Sequence, residues 1–264
     1  MISELEREKF RAICRAVLTE RTAAEGGGIG TLNEKRMHIA LKRFVCADES
    51  KYEIDMGKRF VADIKHDEEI FEIQTGSLYP LKAKLNHYLE TSDCHVTVVH
   101  PLPMKKYRVW IDPATGESQP RRRVAGISTV FGAAHELVYI SEALATGRVA
   151  VWFLFIEEEE YRFLDGRGKD KKIKSSRFER LPVDILDEAV LAEKSDFFAL
   201  IPEGLGESFT TEEYRKAAKI PHSKHAYMAL AALANIGIIE EAERKGRAKA
   251  WKLSKLEKQN ENLR

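Results

Sequence analysis

The residues of this chain best suited to chemistry are two carboxylates and an amide on one short hairpin. The segment Val61-Ala62-Asp63-Ile64-Lys65-His66-Asp67-Glu68-Glu69-Ile70-Phe71-Glu72-Ile73-Gln74-Thr75 reads as two strands joined by a tight polar turn. Asp63 lies in the first strand, and Glu72 and Gln74 lie two apart in the second. Alternate residues of a strand face one side, so Glu72 and Gln74 project together. A hairpin brings Asp63 beside them. Two carboxylates converging on one point suit a hard cation such as Mg²⁺ or Mn²⁺, so the hairpin is a candidate metal-dependent hydrolase site.

The flanking pattern supplies elements to position it. Leu5, Phe10, Ile13 and Val17 recur at helical spacing over residues 2–22. Gly26-Gly27-Gly28-Ile29-Gly30 interrupts them, and a second helix begins at Thr31 with Met37, Leu41, Phe44 and Val45 on one stripe. Tyr52, Ile54 and Met56 alternate as a strand does. After the hairpin, Gly76-Ser77 opens a helix predicted to reach about Leu89. Residues 95–102 and 107–111 read as two further strands, with Asp112-Pro113-Ala114-Thr115-Gly116 as a turn. A helix is expected over 129–145 and a strand buried on both faces over 149–156. The basic stretch 167–180 reads as a loop, 182–200 as a helix, and Pro202-Glu203-Gly204-Leu205-Gly206 as a linker.

The order of helix with Glu34, strand, strand with Asp63, strand with Glu72 and Gln74, then helix resembles the PD-(D/E)XK nuclease superfamily over residues 31–100. The resemblance implies a restriction-endonuclease-like α/β fold, a mixed central sheet flanked by helices. It implies that Asp63, Glu72 and the Ile73 carbonyl bind Mg²⁺ or Mn²⁺, with Glu34 orienting the attacking water or holding a second ion. Glu34 is also the N3 residue of a Thr31-Leu32-Asn33-Glu34 capping box. It shares the stripe of Met37 and Leu41, and His38 stands one turn on. Two departures stand out: Ala62 precedes Asp63 where the family has Pro, and Gln74 occupies the Lys position. Gln can hydrogen-bond water but brings no charge to a phosphate. Lys82, Lys84 and Tyr88, on the following helix, are placed to lend polar groups to the site, and either lysine could replace the missing one; two solvated helix lysines are the plainer alternative.

Residues 208–255 resemble a winged helix-turn-helix domain. A capped short helix leads to Pro221, a helix from Ser223 ends at Ile236-Gly237, and two strands flank Arg244-Lys245-Gly246-Arg247. The resemblance implies a second helix entering the major groove by its N-terminal end, with His222, Lys224, His225 and Tyr227 there. Arg244, Lys245, Arg247 and Lys249 would meet phosphates at the wing. The expected organisation is therefore a nuclease-like domain over 1–203 and a small winged-helix domain over 204–264. Arg121-Arg122-Arg123 is either a further phosphate contact or a solvated surface.

Composition agrees with a soluble globular chain. Of 264 residues, 44% are hydrophobic and 32% charged, enough apolar content to bury a core. No apolar run approaches the roughly 18 residues of a membrane span, and the charged start, Met-Ile-Ser-Glu-Leu-Glu-Arg-Glu-Lys-Phe, lacks a signal-peptide core. Cys14, Cys46 and Cys94 are odd in number and widely spaced, which fits free thiols in a reducing cytoplasm. Net charge is only +1, yet from Gly206 onward Lys and Arg outnumber Asp and Glu by 12 to 8, a basic excess in the C-terminal segment. The function expected is a metal-dependent DNA endonuclease, possible as a homodimer. The alternatives are a catalytically inactive DNA-binding regulator on the same fold and a protein-interaction module.

Overall fold

The computed structural model describes residues 2–24, 36–125, 128–167 and 173–254, with side chains up to Glu20 in the first stretch. Thr31, Glu34 and the glycine run lie outside the described residues. Helical periodicity yields α1 (Glu4–Ala24) and α2 (Arg36–Val45). Phe10, Cys14 and Val17 of α1 are buried with Met37, Ala40, Leu41 and Phe44 of α2, on the stripe their spacing predicts.

A meander follows: β1 (Tyr52–Asp55), β2 (Val61–His66) and β3 (Glu69–Ile73), each antiparallel to the next. Its β2–β3 turn holds Asp67 at φ 52°, a left-handed conformation that Asp tolerates better than most residues. Next, α3 (Leu81–Thr91) crosses over, so that β4 (His95–Ile111) runs parallel to β3. The two-residue β5 (Arg122–Arg123) pairs with β4. Short helical pieces, α4 (Val130–Ala133), a 3₁₀ segment Ala134–Tyr139 and α5 (Ser141–Leu144), lead to β6 (Val149–Phe163). Strand β6 is parallel to β4 and antiparallel to β7 (Ser176–Leu191). The sheet order is β1-β2-β3-β4-β6-β7. Helices α1 and α2 cover one face, and α3 with the 130–144 pieces cover the other. The chain is thus a mixed α/β sheet flanked by helices. Among the described residues no helix is long and apolar enough to cross a membrane.

Three expectations are corrected. Residues 182–191 are strand, not helix, and a 3₁₀ segment, Lys194–Leu200, follows. The apolar β6 leaves an edge whose backbone groups must be paired, and β7 pairs it from Ser176, inside the stretch expected to be loop. Strands 95–102 and 107–111 are one strand, β4, despite Pro101 and Pro103. Its ladder to β3 ends at Ile73↔Val99, so the proline positions fall where no β3 partner needs an N–H. The 129–145 helix is broken into three pieces, with the 3₁₀ segment in the middle.

Beyond a coil, β8 (Phe209–Thr210), α6 (Thr211–Ala217), α7 (Ser223–Ile236), β9 (Ile239–Lys245) and β10 (Ala248–Leu253) form a small unit with sheet order β8-β10-β9. Thr210 and Glu213 form the capping box of α6. Helix α7 ends at Gly237, φ 83°, where the Ile238 N–H reaches the Leu233 carbonyl and the Gly237 N–H that of Ala234, a Schellman termination. Gly237→Ala is expected to cost about 1–2 kcal/mol, the penalty of a side chain in this region, and thermal unfolding measures it. The unit does not stand apart. Ala226, Leu230 and Leu233 share one buried cluster with Leu137, Ile140 and Leu144, and Asn235 Nδ2 donates to Ser141 Oγ at 3.0 Å.

Candidate functional site

The β2–β3 ladder runs from His66↔Glu69 to Ile64↔Phe71. There the strands part. The Ile73 N–H, which a continued ladder would give to β2 backbone, donates instead to Asp63 Oδ2 at 2.7 Å. His38 Nε2 on α2 lies 3.3 Å from the same oxygen. Glu72 is directed to the α3 face and is 1% exposed. Lys84 Nζ donates to its Oε2 at 2.5 Å and the Tyr88 hydroxyl to its Oε1 at 2.9 Å. Lys84 and Tyr88 are one turn apart on α3, which aims both at β3.

The two carboxyls are tuned apart. Burial opposes ionisation of Asp63, but the His38 bond and charge, the Lys84 charge and the Ile73 N–H outweigh it, holding Asp63 below its ordinary value. Glu72 is pushed up to about 7 by burial and by the Asp63 charge, against the pull of Lys84 and Tyr88. Burial and Glu72 keep the Tyr88 phenol protonated. Carboxyls whose surroundings separate their proton affinities are a mark of acid–base or metal sites, and also of structural ion pairs.

Asp63 and Glu72 are near enough for their charges to act on one another, but Asp63 is held by His38 of α2 and Glu72 by Lys84 and Tyr88 of α3. Gln74 is not directed at the same point: its Nε2 donates to the Ser77 carbonyl at 2.5 Å. Its own carbonyl accepts from His100 Nδ1 at 2.6 Å. Lys82 faces outward, 3.3 Å from Glu142. A Mg²⁺ held by Asp63 and Glu72 would keep several waters and take further ligands from substrate phosphate, and it would have to displace Lys84 and Tyr88 from the Glu72 oxygens. Among the described residues no group of three or more His, Cys, Asp or Glu is arranged to hold a metal, so the protein's share would be this small donor set.

In the C-terminal unit, Lys224 is exposed and Tyr227 is 59% exposed at the start of α7. His225 is half-buried, its ring stacked flat on His135 with centroids 3.9 Å apart. Lys245 is held by the Ser208 carbonyl at 2.7 Å and by Glu213, so it braces the α6 cap. Lys249 pairs with Glu241 and lies over the Trp251 ring. Arg244 and Arg247 are exposed.

Sequence reasoning missed three residues around the site. Glu136 accepts from Ser77 Oγ at 2.7 Å and from the Leu78 N–H at 2.9 Å. Arg180 donates to the Thr75 carbonyl at 2.7 Å, and His100 holds Gln74. All three join the site through contacts between elements distant in sequence. Only Arg180 carried a signal, as a cation opposite the Glu157-Glu158-Glu159-Glu160 run once 176–191 is read as strand.

A protein of Treponema pallidum (strain Nichols), described as uncharacterized, is 22% identical to this chain over 225 residues, covering 85% of this chain and 87% of its own length. No solved structure matches the chain. A family model described as "Domain of unknown function (DUF8091)" matches residues 35–192, which contain the sheet, Asp63, Glu72, Lys84 and Arg180. That match spans more than half of the chain, and this protein belongs to the DUF8091 family.

Proposed function

We propose that the protein is a metal-dependent nuclease that hydrolyses phosphodiester bonds in DNA. The observation that carries this reading is the Lys84–Glu72 ion pair beside Asp63, whose charges act on one another where β2 and β3 part. Helix, antiparallel meander, crossover helix and parallel strand follow one another in the order of the PD-(D/E)XK superfamily, which supports the reading. A bound Mg²⁺ or Mn²⁺ would polarise the scissile phosphate and acidify its attacking water. Asp63, held ionised, and Glu72 would supply the anionic ligands, and Glu72 would shed its proton on loading. Lys84 stands in for the lysine replaced by Gln74: its ammonium, released from Glu72, stabilises charge developing on the phosphate. The C-terminal unit has the strand and helix order of a winged helix-turn-helix and would hold the DNA through Lys224, Arg244 and Arg247.

A second reading has its own support. Both Glu72 oxygens are already satisfied by Lys84 and Tyr88, as a scaffold without catalysis would arrange them. Cleavage of plasmid and single-stranded DNA with Mg²⁺ or Mn²⁺ separates the two. The wild type should cut, and Asp63→Ala and Glu72→Ala should each lose roughly 10²–10³-fold or more. Activity surviving both substitutions refutes the site. A wild type that binds DNA without cutting it favours the non-catalytic regulator.

A further inference from the structure

Two clusters of rings stand on the 3₁₀ segment Ala134–Tyr139, one towards the turn after β3 and one towards α7. The turn leaving β3 is pinned by Glu136 through Ser77 and Leu78. Tyr79, in the same turn, meets Tyr139 edge to face with centroids 5.4 Å apart. On the same 3₁₀ segment, His135 is fixed by its Nδ1–H to the Gly132 carbonyl at 2.8 Å. Its ring lies parallel to that of His225, with 4° between the planes. His222 completes this second cluster, edge-on to His225 at 5.3 Å. Tyr79 is 66% exposed and His222 is exposed, so each cluster offers an open ring.

Helix α7 leaves Lys224 and Tyr227 open near its start and buries one face. Ala226, Ala229, Leu230, Ala232, Leu233 and Ile236 are buried, and the helix packs on the 134–144 pieces. An element that reads duplex bases must project into a groove about 12 Å wide. Rings lying open on a surface suit unpaired bases, whose π-faces stack without regard to sequence.

We propose that these two clusters form the binding track for single-stranded nucleic acid, running from the α7 N-terminus to the turn that follows β3. Bases stack on Tyr79 and on the His222–His225 pair, and Lys224 meets the backbone. The substrate is then an unpaired strand or a frayed flank rather than an intact duplex. The inference rests on the nuclease reading for its direction, but its test does not.

Binding of the full chain to a fluorescein-labelled oligothymidine of roughly 20 nucleotides, and to a duplex of equal length, is followed by anisotropy in EDTA. The single strand should bind more tightly than the duplex. Tyr79→Ala should weaken single-strand binding by roughly 5–100-fold, the worth of one stacked base, and leave duplex binding nearly unchanged. Tyr79→Phe should restore it. His222→Ala should weaken it in the same sense. Equal or tighter duplex binding, or single-strand binding indifferent to Tyr79→Ala, overturns the proposal. Tyr79-dependent binding without any metal-dependent cleavage leaves the track standing and removes the nuclease. Asp63-dependent cleavage with binding blind to Tyr79 does the reverse.

Discussion

Lys84→Met is expected to lower stability by about 3 kcal/mol near about pH 8 and by little near about pH 5. Glu72 is buried, and Lys84 is its cationic partner at 2.5 Å. Removing one member of a buried pair leaves the other charge uncompensated, which costs more than the pair contributes when whole. The sign of the pH dependence follows from the Glu72 carboxyl, raised to about 7. An acid raised by folding is protonated in the native state while still ionised in the unfolded chain. Its native form is therefore favoured most at low pH and loses ground as pH rises towards about 7. Above that, wild-type Glu72 is ionised and Lys84 matters. Below it, Glu72 is neutral and Lys84 keeps only the Asp63 charge to meet. Thermal unfolding of the two proteins at both pH values measures this, with a shift on the order of 6–12 °C at the higher pH. Lys84→Arg should retain most of the wild-type stability. An equal loss at both pH values would mean that Lys84 acts only by packing its stem.

Glu160→Gln is expected to cost about 2–3 kcal/mol at neutral pH and progressively less in acid. Glu160 is 2% exposed on β6. Lys106 lies at 3.2 Å, Arg162 and Arg177 at 3.0 Å and Arg108 at 3.5 Å. Burial works against its charge, but these cations win and hold the carboxyl at about 2. A depressed acid stabilises the fold above its ordinary value, and that stabilisation fades as pH falls towards about 2. Glutamine keeps the shape and removes the anion that Lys106, Arg108, Arg162 and Arg177 share. Arg177 is half-exposed, which screens its share and keeps the figure from being larger. Denaturant unfolding at about pH 7 and about pH 3 reads the difference. An unchanged midpoint at neutral pH would show that solvent screens the cluster. The neighbouring Glu158, buried between Lys106 and Arg180, connects this cluster to Thr75 at the site rim. Single-strand binding by Glu160→Gln would show whether loosening the cluster reaches that rim.

Much of the site was legible because its signals are local. The hairpin, its polar turn and the strand positions of Asp63 and Glu72 depend on neighbours within a few residues. The same holds for the Thr210–Glu213 cap and the Gly237 stop of α7. The 182–191 strand was not legible for a specific reason. Its pairing with β6 carries register irregularities at Phe155/Ile156, Glu157/Glu158 and Tyr161/Arg162, and each bulge shifts which residues face inward. The alternation that announces a strand is thereby erased, and Ile185, Ala189 and their neighbours pass for a helical pattern.

The chain's own sequence determined the order of its elements, the two carboxylates and the basic bias of its last quarter, because propensity, capping and periodicity act over single turns and strands. Tertiary structure alone decided which groups serve those carboxylates. It placed Lys84 on Glu72 and turned Gln74 away to Ser77. It laid His225 on His135 and drew Lys245 into the α6 cap. Those outcomes depend on how helices and strands distant in sequence pack against a shared sheet, where burial strengthens each charge interaction and makes an unpaired one costly. No spacing along the chain encodes that.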